Sequence, residues 1–137
     1  MTIDAKRMLD IGARFPFDAT DEWRNTEGAE PLPPADWAHA AARGILADLT
    51  DRQDIRDQLD NLAEGQRAEL TTDIAGIIRT GIATSSSWSL SSSSKILSEL
   101  THTKGVGQVL DKMEEGARVE LAINMVEIIR TAAADAR

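Results

Sequence analysis

Glu64-Gly65-Gln66-Arg67-Ala68-Glu69-Leu70 returns, fifty-one residues later, as Glu115-Gly116-Ala117-Arg118-Val119-Glu120-Leu121. At the same offset Ile77-Ile78-Arg79-Thr80 returns as Ile128-Ile129-Arg130-Thr131. Working outward, Trp37 falls on Trp88, Ile45-Leu46 on Ile96-Leu97, and Leu49-Thr50 on Leu100-Thr101. Leu59-Asp60 falls on Leu110-Asp111, and Ala83 on Ala134. The alignment of residues 36–86 with 87–137 needs no gap and holds 17 identities in 51 positions. Unrelated chains of ordinary composition would share about three. Mismatches such as Ile55/Val106, Leu62/Met113 and Ile74/Met125 keep their apolar character. A period of this length marks a repeated supersecondary unit, so we expect two tandem copies, 36–86 and 87–137, preceded by an arm, 1–35.

Each unit reads as three helices. Asp36 is an N-cap type, and Trp37, Ala41, Ala42, Ile45, Leu46 and Leu49 follow at helical spacing. Thr50 to Gln53 matches a capping box that would open a second helix carrying Ile55, Leu59 and Leu62. Gly65 would end that helix or begin the third, which is expected to reach about Ala83 and to bury Leu70, Ile74, Ile77, Ile78 and Gly81. No segment alternates with period two. The fold expected is therefore all-α: a compact six-helix array of approximate two-fold symmetry, or a short superhelical stack.

In the arm, Ile3, Met8, Leu9 and Ile11 suggest a short helix ended by Gly12. Phe15-Pro16-Phe17 should be extended, since the residue before proline avoids the helical region. Asp18–Arg24 suggests one turn around Trp23, and the proline-rich stretch 30–34 a stiff lead-in. With both phenylalanines in it, the arm is expected to strap onto the helices; engagement of a partner is the alternative. The serine-rich stretch 84–94 reads as a weakened helix plus linker, with a phosphorylated segment as the alternative.

The two copies differ on the third helix. Val119, Ile123 and Val126 form an apolar stripe opposite the Leu121–Met125–Ile128 stripe, where unit one has Ala68, Thr72 and Ala75. A helix apolar on two faces is covered on both. Internal packing, for instance by the arm, is the expectation; a homodimer contact is the alternative.

Chemistry is sparse. The chain has no cysteine, hence no disulfide or thiolate site, and no secretory leader or membrane-spanning run is expected. A cytoplasmic setting follows from that reading. His39 and His102 have no counterparts in the other copy, and no Glu-x-x-His occurs. His39 reads as a half-exposed helical residue. Asp51, Asp54, Asp57 and Asp60 recur every three residues, but arginines interleave, so a solvated helix face is preferred to a metal strip. Glu64/Arg67 and Glu115/Arg118 have the i, i+3 spacing of ion pairs; the alternative makes Arg67 and Arg118 symmetric anion sites. Walker, dinucleotide and nucleophile-elbow motifs are missing. The third helix opens with glutamate rather than basic and amide groups, which argues against a DNA-reading helix.

The net charge of −8 repels phosphate backbones and favours basic protein surfaces. The function expected is a non-enzymatic protein-interaction module, an inhibitor or adaptor acting on a basic partner surface, such as a phage or mobile element encodes. Its candidate contacts are Val119, Ile123 and Val126 together with Asp51, Asp54 and Asp57. No cofactor is expected. A ligand-binding bundle or enzyme with a site between the units is the alternative, and a purely structural dimer subunit a third.

Overall fold

The computed structural model describes residues 4–84, 88–103 and 105–135; side chains at 81–92, 94 and 135 stand outside that description. The expected burial of Gly81 therefore falls outside the described residues. The chain is all-helical, with α1 at Ala5–Arg14, α2 at Asp21–Arg24, α3 at Trp37–Thr50 and α4 at Gln53–Asp60. α5 follows at Glu64–Thr84, α6 at Trp88–Thr101, α7 at Val106–Lys112 and α8 at Glu115–Asp135. No described helix is long and apolar enough to cross a membrane.

Local chemistry sets the helix starts. Asp36 caps α3 by accepting from the backbone N–H of His39 at 2.9 Å. Asp4 caps α1 and Thr20 caps α2 in the same way. The capping box expected at Thr50 does not form. Thr50 is the last residue of α3, and its hydroxyl donates back to the Ala47 carbonyl at 2.9 Å. α4 starts two residues later, behind Arg52, with no side-chain cap. The reciprocal half of a capping box occurs instead at α5, where Gln66 Oε1 accepts from the Ala63 N–H at 3.0 Å. Gly65 lies in the first turn of α5 and terminates nothing. The start of α7 differs from that of α4 because Gly105, at φ +83°, turns the chain ahead of it.

The core follows the apolar spacing of α3. Ile45, Leu46 and Leu49 are fully buried, and Ile74, Ile78, Leu121, Met125 and Ile128 meet them from the long helices. Truncating any one large side chain here, Leu46→Ala for instance, removes about 2–5 kcal/mol. α3 packs on α5 and α6 on α8; across the molecule α3 packs on α8, α5 on α6, and α4 on α7.

α1 lies on α3 and α8. It does not stop at Gly12 but continues to Arg14, and Gly12 has a packing role. A Cβ there would sit 2.7 Å from the backbone carbonyl of Arg43, so glycine lets α1 cross α3 almost backbone to backbone. Beyond α1 the chain is not extended: Ala19 donates to the Pro16 carbonyl at 3.1 Å and closes a turn. Phe17 is buried by it, while Phe15 is 72% exposed. The serine-rich stretch carries α6 as one helix from Trp88, with Ser93 buried; residues 85–87 and the Trp88 side chain fall outside the described residues.

Candidate functional site

The densest polar cluster ties the arm to the helices. Arg43 Nε donates to Asp18 Oδ1 at 2.9 Å, and Arg43 Nη1 donates to the Leu32 carbonyl, so one guanidinium holds two points of the arm. His39, one turn earlier on α3, contacts Asp18 Oδ2 through Nε2 at 2.8 Å. Its Nδ1 accepts from the Ala35 N–H at 2.9 Å, which assigns the ring proton to Nε2, facing the carboxylate. Burial alone would push the Asp18 carboxyl up. The hydrogen bond and charge of Arg43, with the hydrogen bond from His39, outweigh it and hold Asp18 below its ordinary value. With both ring nitrogens and the carboxylate occupied in fixing the arm, this constellation is structural.

A second anchor lies at the start of α5. Arg67 is buried; its Nη2 donates to the Ala19 carbonyl at 3.1 Å and to Asp21 Oδ1 at 2.7 Å, and its Nη1 to the Leu62 carbonyl. Glu64 Oε1 accepts from the Asp21 N–H at 2.9 Å. Glu64 and Arg67 thus turn outward to the arm, where the spacing had suggested a pair with each other. Arg118, the counterpart of Arg67, is exposed. The two arginines occupy unlike environments. A further ion pair, between α5 and the N-cap of α3, joins Arg79 Nε to Asp36 Oδ2 at 2.6 Å. That bond lowers the Asp36 carboxyl and raises the Arg79 guanidinium.

The apolar stripe on α8 divides. Val126 is buried, whereas Val119 is 52% and Ile123 54% exposed. The expectation that internal packing covers the whole stripe fails for these two. α1 has only ten residues, about 15 Å of helix. It meets α8 near Ile128, and Leu9 and Ile128 both lie close to Gly44. Val119 lies about 13 Å along α8 from there.

Asp51, Asp54, Asp57 and Asp60 are all exposed. Asp54 and Asp57 line a groove of about 380 Å³ between α4 and α7, with Gln58, Val109, Lys112 and Met113. Asp51 follows the end of α3 and stands apart from it. Among the described residues, no group of three or more histidine or carboxylate side chains is placed to share a metal ion.

The anchors escaped the sequence reading, yet they had a signal. His39, Arg43 and Gly44 of α3 meet the arm, and their counterparts are Leu90, Ser94 and Lys95. On α3 the copies diverge where one of them touches the arm, whereas the anchor residues Glu64 and Arg67 of α5 are retained as Glu115 and Arg118 and carry no such signal. Comparison of the chain with protein-family models, curated proteins and solved structures returns no match.

Proposed function

We propose that this chain is a small acidic protein-interaction module, built by tandem duplication of a three-helix unit into a six-helix array that the N-terminal arm straps. What supports the duplication is the common offset of helix bounds: α3 and α6, like α5 and α8, begin and end fifty-one residues apart. The packing pairs exchange in the same sense, α3 with α8 answering α6 with α5. The observation that carries the interaction reading is the exposed pair Val119 and Ile123, one turn apart on α8. Glu120 lies exposed between them in sequence, in a chain of net charge −8. An apolar pair in an acidic setting suits a basic protein surface, with charge setting the encounter and apolar contact the residence time. The reading includes a cytoplasmic setting, no catalysis and no nucleic-acid partner. Inhibitor and adaptor are its two forms.

The test is capture of partners from native-host lysate on the wild type and on Ile123→Glu, with folding verified by circular dichroism. A partner held by the wild type and lost from the variant is the expected result. Identical recovery by both proteins, or none by either, would overturn the reading. Wild-type self-association abolished by the same substitution would make the chain a dimer subunit instead.

A further inference from the structure

Two grooves of this molecule are counterparts at the fifty-one-residue offset, and α1 fills one of them. Leu9 of α1 lies at Gly44: a Cβ added there would sit 3.0 Å from Leu9 Cδ2 and 3.1 Å from Ile128 Cγ2. Beneath it Asn124 of α8 donates to Asp48 of α3 at 3.3 Å. The offset carries Gly44 to Lys95, Ile128 to Ile77, Asp48 to Glu99 and Asn124 to Asp73. All four counterparts line an open groove of about 500 Å³ between α5 and α6. The groove continues into a second hollow of about 300 Å³, which shares Asp73 and Glu99 and adds Glu69 and His102.

We propose that the α5/α6 groove is a docking site for a short, basic amphipathic helix of a partner protein, with its close approach at Gly76 of α5, since the counterpart of Gly44 here is Lys95. This rests on the duplication and interaction reading above. Helix-in-groove recognition needs an apolar floor, a place of close approach and walls that select the flanks. Ile77 supplies the floor. Gly76 supplies the approach, since a Cβ there would meet nothing within 4 Å. Glu69, Asp73 and Glu99 outnumber Lys95 on the walls, with His102 at one end, so lysine and arginine flanks are favoured. The chain's own α1 is not the occupant. Gly12 commits it to the backbone of Arg43 on the other side.

The probe is a fluorescein-labelled peptide of residues 4–15 in which Asp10 is replaced by lysine, titrated into the full chain. Binding is followed by polarisation and mapped by amide chemical shifts. Expected are saturable, salt-sensitive binding and shifts at Thr72, Gly76, Lys95 and Glu99. Affinity should fall about tenfold in Gly76→Gln, and by a similar factor in Glu99→Lys. Gly76→Gln adds bulk to the groove alone, so its fold is retained, and circular dichroism verifies it. No saturation by about 1 mM peptide, shifts centred on Gly44 or on Ile123, or wild-type affinity retained in both variants would each overturn the proposal. If a lysate partner dependent on Ile123 persists while the peptide fails, the groove inference falls and the interaction module stands. If neither binds, the interaction reading falls with it.

Discussion

Arg67 and Arg118 sit in the same local sequence, Glu-Gly-x-Arg-x-Glu-Leu, at the same place on twin helices, yet one is buried and the other exposed. The arm makes the difference. Ala19 and Asp21 lie against the start of α5 and supply a carbonyl and a carboxylate to Arg67; Arg118 is left to solvent. The grooves repeat the lesson. Gly44 is closely covered by Leu9, while its counterpart Lys95 lines an open groove. A repeated sequence encodes repeated helices. A single unrepeated segment of about thirty-five residues then gives the copies different surfaces.

The sharpest way to break this comparison is to exchange two helical glycines. Gly12→Val forces a side chain against the Arg43 backbone and should cost about 3 kcal/mol or more, since that contact cannot relax by rotamer change. Gly76→Ala meets nothing and should stabilise by about 0.5–1 kcal/mol, by helix propensity alone. Urea unfolding of both variants checks the pair, and a similar cost for each would refute the close crossing of α1 on α3.

Next in size is the arginine pair. Arg67→Ala leaves the Ala19 and Leu62 carbonyls without their donor and should cost about 1–3 kcal/mol. Arg118→Ala should change stability by no more than about 0.5 kcal/mol. Equal effects in thermal unfolding would mean that the arm does not distinguish the two helices.

The smallest effect concerns pH. The Asp18 carboxyl is held below its ordinary value of about 3.9 in the folded chain. Its contribution is therefore fully present above that value and is lost as pH falls through the lower, folded one. The wild type should melt above Asp18→Asn near neutrality, and the gap should close as pH falls below about 4. A gap that stays constant from about pH 7 to about pH 3 would show that the carboxylate charge does not anchor the arm.

Much of the helical architecture was legible in the sequence because residues 36–86 could be read against 87–137 at a fixed offset. The N-cap at Asp36, the buried face of α3 and the extent of α5 follow from residue type and spacing. Gly12 misled as a stop signal. A glycine at a helix end and one at a helix crossing look alike until the crossing partner is known. Thr50 misled as a cap, because its hydroxyl can equally return to the preceding turn of its own helix, as it does. The His39–Asp18–Arg43 anchor joins residues more than twenty positions apart, and no periodicity links them. Only the mismatch between copies marked its α3 side.

The sequence by itself determined that the chain is helical and acidic and that it matches itself at an offset of fifty-one residues, because helix periodicity, capping residues and charge are properties of short segments. Which copy the arm covers was decided only in three dimensions. So were the partners of Arg67, the exposure of Val119 and Ile123, and the opening between α5 and α6. The physical reason is range: the helix crossing at Gly12 and Gly44 and the contacts of Ala19 and Asp21 with Arg67 join segments far apart in the chain, and they assign the arm to one of two similar grooves.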